Sequence, residues 1–542
     1  MSEKFDTYRE IKSPETETQQ TQIATHPRFF EEGIVLSEGN KDAEGKKRLS
    51  VLLLVPPYSF DPRFETRRAS APLGLETVAN ELVQRGLNVV FIDAARAKYD
   101  QLTPKNSDEM RYGLTDEQIR EVLKQFPEID IVGVTSMFSN QSQNVADTTK
   151  IIRELYPEAL IVEGGAHATG AYEEVLSKDE NVDAVVRRQG MITFAELCET
   201  LETSKKDPTK KDLPSILKKI NGVAYKDTNK EVVCNPDRPF VKNLDELAPR
   251  LIDIELHPMY DTAEHTGGSR GTQEGRYAYI MTGYGCPGRC GFCTAKMMSG
   301  REVAQFSLDR IEQEVKQLKE AGVNELIIED DQFLVNIPRA LAVMEIFKKY
   351  QMKWFEEGGI SMFKLMKPGK GYDYKTIIDK MAESGCYRFY LAIESANAES
   401  LKQSSKPDIN THQDEAEEIV KYIQSKGIQA VGGFMLGFKS PGYEESLQDM
   451  EKTVAYAKKL KEAGLPFVML FLYTGLPGSR VYDYIRPMIE EAGTGHTSHE
   501  KAGFPVGGLS TQELTRKRLE WMIEVNGKES MKKAEETLNW GV

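Results

Sequence analysis

Three cysteines carry the strongest chemical signal in this chain. Cys286, Cys290 and Cys293 stand in Gly-Tyr-Gly-Cys-Pro-Gly-Arg-Cys-Gly-Phe-Cys, a C-x3-C-x2-C run. Three thiolates on one short loop can hold three irons of a [4Fe–4S] cluster and leave the fourth iron without a protein ligand. An open iron can bind and reduce something, whereas a structural zinc closes its fourth position. The plainer readings are zinc with a distant fourth ligand, or a cluster that only passes electrons. The spacing, the aromatic Phe292 before the last cysteine and the position after an apolar strand weigh against both.

This run resembles the signature of the radical S-adenosylmethionine (SAM) superfamily. The resemblance implies that SAM chelates the open iron through its amino and carboxylate groups. One electron then cleaves it to methionine and a 5′-deoxyadenosyl radical. The resemblance also implies a SAM-binding set, with Phe292 on the loop. Asp330 and Asp331, in Glu329-Asp330-Asp331-Gln332-Phe333, would accept from the SAM ammonium or lie near substrate; a helix N-cap is the plainer reading. Glu394 and Ser395, in Ala392-Ile393-Glu394-Ser395, look like the family's Gly-Ile-Glu-Ser and would meet the ribose or carboxylate. Phe434, in Gly433-Phe434-Met435-Leu436-Gly437, would wall the adenine or be plain core. Tyr473 opens Tyr473-Thr474-Gly475-Leu476-Pro477-Gly478-Ser479, which resembles the family's Pro-x-Pro-Gly-Thr turn.

The elements that must position these residues read as strand–helix repeats. Between residues 277 and 475, candidate strands at Tyr277–Thr282, Glu325–Ile328, Trp354–Gly358, Tyr387–Ile393, Ala430–Leu436 and Phe467–Leu472 alternate with helices at Leu308–Ala321, Pro338–Tyr350, Tyr374–Glu383, Gln413–Lys426 and Tyr443–Ala463. That pattern predicts a partial (β/α)6 barrel, with functional groups at the C-terminal strand ends. Upstream, Val51–Val55, Val89–Ile92, Ile129–Thr135, Leu160–Val162 and Ala184–Val186 alternate with helical segments, as in an α/β, Rossmann-like doubly wound sheet. Ligands of such sheets lie at the carboxyl ends of the strands.

The loops at those ends, with Ala71-Pro72-Leu73-Gly74-Leu75, resemble the cobalamin-binding domain that precedes many radical SAM domains. The resemblance implies cobalamin contacts at Pro72, Leu73, Gly74, Thr135, Ser136, Met137, Gly164, Gly165, His167 and Gly190. The Asp-x-His-x-x-Gly motif that supplies a lower cobalt ligand in many cobalamin proteins is absent. Cobalamin without a histidine ligand is therefore expected, with His167 at the corrin periphery. A cofactor-free Rossmann-like scaffold is the plainer alternative.

The organisation expected is a polar extension over 1–48, a cobalamin-binding domain over 49–200, a linker with a hairpin over 201–275, a radical SAM barrel over 276–482 and a helical C-terminal region over 483–542. Composition is that of an ordinary globular protein, 40% hydrophobic and 28% charged. A net charge of −14, with no long basic run to offset it, argues against nucleic acid as the main partner. No run of about 18 apolar residues exists, so no membrane span is expected. The start, Met-Ser-Glu-Lys-Phe-Asp, has no apolar core and does not read as a secretory signal. Six cysteines in this length do not make a disulfide framework; Cys198 reads as core, and Cys386 as core more than active site. Free thiols and a sensitive cluster suit a reducing cytoplasm.

The implied function is a cobalamin-dependent radical SAM methyltransferase. It would methylate an unactivated carbon, or phosphorus, of a small-molecule or natural-product intermediate. In the implied cycle cobalamin takes a methyl from one SAM, a second SAM yields the radical, and the substrate radical takes the methyl from cobalt. A reductase or a flavodoxin or ferredoxin would supply electrons. The alternative keeps both cofactors for a non-methylating cyclisation, ring contraction or oxidation. His265, His496 and His499 are candidate acid–base or substrate groups, or simply exposed histidines, and Glu264–Arg276 reads as a mobile, lid-like loop.

Overall fold

The computed structural model describes residues 27–42, 45–65, 67, 71–204, 213–254, 257–260, 276–407, 413–495 and 498–531. They form two compact units. The first lies within Met1–Phe60, Ala69–Val241 and Glu246–His265, the second within Asp61–Arg68, Lys242–Asp245 and Thr266–Val542. His265, His496 and nearly all of the expected lid lie outside the described residues.

The first unit holds strands β1 (Arg28–Phe30), β2 (Gly33–Ser37), β3 (Ser50–Val55), β4 (Tyr58–Phe60), β5 (Asn88–Asp93), β6 (Leu102–Pro104), β7 (Met110–Tyr112), β8 (Ile131–Thr135), β9 (Leu160–Gly164), β10 (Ala184–Val186), β11 (Val223–Lys226) and β12 (Val232–Cys234). Nine of them make one sheet in the order β1-β2-β5-β3-β8-β9-β10-β11-β12. The five central strands are parallel. Val51 to Leu54 are fully buried, because helices cover both faces and leave no polar-facing position. Helices Asp116–Leu123 and Ser142–Leu155 share a core with Leu52, Leu54, Val132 and Val134. On the other face, Phe194 of helix Gly190–Thr203 meets Leu53 across Gly133. Thr115 starts its helix with a capping box to Gln118, which satisfies donors at the helix N-terminus.

Two expectations change here. Residues 28–37 are not only extension: β2 pairs antiparallel with β5 and β1 with β2. The hairpin assigned to the linker continues the sheet, since β11 pairs antiparallel with β10. Both additions cover edges that a bare parallel sheet would leave unpaired. A small antiparallel sheet, β4-β7-β6, stands apart.

The second unit holds β13 (Arg276–Ile280), β14 (Gly283–Tyr284), β15 (Ala304–Gln305), β16 (Val323–Ile328), β17 (Lys353–Ser361), β18 (Cys386–Glu394), β19 (Gln429–Leu436), β20 (Lys439–Ser440), β21 (Tyr443–Glu444) and β22 (Phe467–Leu472). Six of them form a parallel sheet, β13-β16-β17-β18-β19-β22, whose end strands do not pair: a partial barrel. The helix expected from Tyr443 starts instead at Leu447, capped by Ser446, because Tyr443–Glu444 pairs back with β20.

The free edge of β22 is covered by side chains of helix Thr511–Asn526. Asn526 both accepts from Val468 N–H and donates to its carbonyl, each at 2.9 Å. Arg518 Nε donates to Leu470 O at 2.6 Å, and Leu470 N–H meets Met522 Sδ at 3.1 Å. Among the described residues no helix is long and apolar enough to cross a membrane.

Candidate active site and cofactor sites

The chain leaves β13 through Thr282, β14 and Gly285 to reach Cys286. Gly285 has φ +99°, and a Cβ there would stand 2.2 Å from Glu302 O, so only glycine makes this turn. The Sγ atoms of Cys286 and Cys290 lie 3.1 and 3.7 Å from where a Cβ on Gly288 would be. The loop therefore folds both sulfurs around one bare glycine. Gly288 N–H donates to Cys286 Sγ, and Ala295 N–H to Cys293 Sγ, each at 3.4 Å. All three thiols are free of disulfides. Burial pushes the Cys290 thiol up and the Cys293 thiol to about 11, although part of Cys293 stays open to solvent. Such thiols are neutral near pH 7, so their deprotonation accompanies metal binding. Free thiols, N–H donors to sulfur and no fourth cysteine on the loop fit a [4Fe–4S] cluster with one open iron.

Asp330 and Asp331 both brace this loop. Asp330 is 4% exposed. Its oxygens accept from Thr282 N–H and Oγ1, both at 2.5 Å, and from Gly283 N–H at 3.3 Å. Burial raises its pKa to about 6, against the pull of those hydrogen bonds and of Arg339. Asp331 accepts from Gly285 N–H at 2.8 Å. Arg339 adds a donor to Thr282 O at 2.9 Å and one to Phe306 O at 2.8 Å. Asp330, expected at SAM or near substrate, is held in this structure by Thr282 and Gly283 and so positions the loop.

Glu394 ends β18 with φ +74°, where the register with β19 shifts. A bulge re-aims the side chain it carries. Glu394 meets Lys406 Nζ at 2.6 Å, and Lys406 lies 5.7 Å above the Phe292 ring. Burial alone would lower the Lys406 pKa; Glu394 and the thiols of Cys290 and Cys293 outweigh it and raise the value. Phe292 packs edge-on against Tyr473, which packs on Phe438. Tyr473 is 3% exposed and backs Phe292 rather than lining the opening. Ser395 is fully buried, its hydroxyl 3.2 Å from Thr453 Oγ1. Phe434 is fully buried against Tyr456 of helix Leu447–Ala463. In a strand, neighbours face opposite ways, so Gly433 and Met435 face inward while Phe434 packs outward. Ser395 and Phe434 are thus buried in the framework of the strand ends. Lys406 was not legible in the sequence, because only the loop after β18 brings it to the cysteines. His499 is held at the end of β22, its carbonyl accepting from Leu472 N–H at 2.7 Å and its ring edge-on to Phe471.

In the first unit, the ends of β8 and β9 are tied together. Ser136 N–H donates to Gly164 O at 2.7 Å, and His167 and Ala168 N–H donate to Ser136 O at 3.1 and 3.2 Å. Gly165 has φ +111°, and a Cβ would lie 2.8 Å from Ser136 O. The partly open surface here is Thr135, Gly164 and Gly165, with Met137 exposed; Pro72 and Leu73 are partly open and Gly74 is exposed, with nothing within 4 Å of its Cβ position. An exposed apolar Met137 beside bare glycines fits one face of a broad planar ligand such as cobalamin. Ser136 (1% exposed) and His167 (3% exposed) do not reach that surface. His167 Nδ1 lies 3.0 Å from Ser139 Oγ. Ser136 and His167 both hold the loops together. Gly190 starts helix Gly190–Thr203 and abuts Val186. Arg187 and Arg188 both pair with Asp237 at 2.6 Å.

Residues 280–457 match the Radical SAM superfamily model, and residues 67–198 match the B12 binding domain model. The chain is 28% identical over 459 residues to the cytidylyl-2-hydroxyethylphosphonate methyltransferase of Streptomyces wedmorensis, covering 80% of this chain and 81% of that one. It is also 28% identical over 441 residues to an uncharacterized methyltransferase of Pyrococcus horikoshii, covering 81% and 83%. The fold is shared with the radical SAM methyltransferase TsrM of Kitasatospora setae (TM-score 0.57, 14% identity, 82% of this chain and 75% of that one). The cobalamin-dependent radical enzyme OxsB shares it too (TM-score 0.57, 17% identity, 90% and 56%). The chain thus carries a B12 binding domain followed by a Radical SAM domain, and over about four fifths of its length it is similar to methyltransferases. Its cofactors are the [4Fe–4S] cluster, SAM and cobalamin. The two relatives at 28% identity, matched over 80% and 81% of this chain, are methyltransferases, which does not favour the non-methylating alternative.

Proposed function

We propose that this enzyme methylates an unactivated carbon, or phosphorus, of a small natural-product intermediate. The observation that carries the reading is the cluster loop, with three free thiols on the loop beyond β13 and a Lys406–Glu394 pair beside it. When bound, the cluster and SAM supply an electron and an organic radical, and cobalamin supplies the methyl group at cobalt. The chain's own residues bind and orient. Cys286, Cys290 and Cys293 hold three irons. Lys406 and Glu394 present opposite charges side by side, the complement of an amino acid's carboxylate and ammonium. Phe292, backed by Tyr473 and Phe438, makes a water-excluding wall. Inward-facing Gly433 and the neighbouring Ala392 leave room at the strand ends.

Residues 49–200 are assigned to cobalamin and 276–482 to SAM, with 201–275 between them and 483–542 as the closing helical region. The relative from Streptomyces wedmorensis is named for a cytidylyl phosphonate, which supports a small polar substrate. A reductase, flavodoxin or ferredoxin supplies electrons, and free thiols suit the cytoplasm. The test is anaerobic reconstitution followed by elemental mass spectrometry and product analysis. About four irons and one cobalt per chain, with S-adenosylhomocysteine and 5′-deoxyadenosine formed in equal amounts alongside methylated product, support the reading. Four irons without cobalt despite added cobalamin, or deoxyadenosine without S-adenosylhomocysteine, would sink it.

A further inference from the structure

From Tyr277 to Arg301 the chain contains no Asp or Glu, although the whole carries a net charge of −14. This stretch is the cluster loop with its flanks. Its cations Arg289, Lys296 and Arg301 are all exposed, beside exposed Pro287, Gly288 and Cys293. Some surface cations elsewhere pair with neighbours, as Lys380 does with Glu345 and Glu383, while others among the described residues stand alone. Among the described residues Arg289, Lys296 and Arg301 make no ion pair. Arg480, also exposed, donates to Ser405 Oγ at 2.8 Å. It lies against the same loop, its Nη2 3.1 Å from the Cβ position of Gly291. The first acid beyond the stretch, Glu302, faces Lys242 at 3.8 Å.

One use for such cations is to offset the negative charge of the cluster. Lys406 already does this from inside, next to Cys290 and Cys293. The outer cations face solvent instead, where charge acts at range on an arriving partner. The cluster needs an electron for each cleavage of SAM. Apart from the loop, the chain's cysteines are Cys198, Cys234 and Cys386, which are scattered and offer no second cluster.

We propose that this cation-bearing face of the cluster loop is the docking surface for the electron donor, a small acidic redox protein carrying a reduced flavin or iron–sulfur centre. The proposal rests on the reading of residues 286–293 as a cluster loop and of the donor as a protein. One electron leaves the donor's reduced centre and enters the oxidised cluster. No bond forms or breaks, and the donor is left oxidised by one electron.

The test uses the cluster-loaded full chain under anaerobic conditions. Stopped-flow bleaching of the cluster absorbance is followed with flavodoxin hydroquinone and, separately, with titanium(III) citrate. The variant is Lys296→Glu/Arg301→Glu, and Lys316→Glu/Lys421→Glu makes the same change of net charge elsewhere. At low salt the first variant is expected to be reduced by flavodoxin about tenfold or more slowly than wild type. The difference should close near 0.5 M salt as screening sets in. Titanium(III) citrate should reduce all three proteins alike, with equal iron content, and the control should match wild type. Equal flavodoxin rates for wild type and the first variant overturn the docking surface and leave the protein-donor reading intact. Equal slowing with the small reductant overturns it too, because the charges then act on the cluster alone. If neither flavodoxin nor ferredoxin reduces the wild type while titanium(III) citrate does, the protein-donor reading itself fails, and the surface with it.

Discussion

Glu394 sits in the left-handed region that side-chain-bearing residues seldom adopt, and its carboxylate is held by Lys406. Removing one partner of a poorly solvated pair leaves the other uncompensated. Lys406→Met should destabilise the second unit by about 3–5 kcal/mol, and Lys406→Met/Glu394→Gln by much less than the sum of the single changes. Anaerobic denaturant unfolding of all three variants checks this; strict additivity would show the pair is not coupled. In the first unit, Glu163 is 3% exposed at the end of β9. Burial, and then Asp179, raise its pKa to about 8, with Ser136 opposing. Because the folded value lies above the ordinary one of 4.5, its contribution to stability is complete below about pH 4.5. That contribution is lost as pH rises through about 8, by about 1.4 kcal/mol per unit. Glu163→Gln should flatten that fall in a pH series of unfolding curves. At this scale the cysteines were legible because their spacing is itself the ligand set. Asp330, Ser395, Phe434 and His167 were found as motifs, but their burial in the framework was not legible. Which way a side chain points depends on strand register and on the bulge at Glu394, and neither is written in local composition.

The central strands of the first sheet, such as β3, were legible as continuous apolar runs, since burial on two faces leaves no polar alternation to confuse them. The edge elements were not. β1, β2, β11 and β12 run three to five residues, and only their partners make them strands. The cover over β22 was equally hidden, because it consists of single side chains on a helix rather than a repeat. Asn526→Leu should leave the N–H and C=O of Val468 buried and unpaired, a loss of about 2–4 kcal/mol. Chemical unfolding measures the loss, and rising light scattering on mild warming reports the exposed edge. Unchanged stability and scattering would show that water or a neighbouring segment covers the edge instead.

On the scale of the whole chain, the two cofactor sites are built from separate units, so loading should be separable. Cys290→Ala should lose most of its iron and keep its cobalt. Gly165→Val, which drives a side chain into Ser136 O from a left-handed backbone, should lose cobalt and keep iron. Elemental analysis of both variants decides it, and loss of both metals from either variant would mean the sites are interdependent.

The cover on β22 also bears on how the chain is made. Asn526 follows Val468 by 58 residues. At synthesis rates of 5–20 residues per second, that separation takes about 3–12 s to emerge. During that interval the last barrel strand waits on the ribosome with one edge unpaired. Slow codons between the two residues would lengthen the wait and chaperone occupancy would shield it, so the yield of folded enzyme should respond to both.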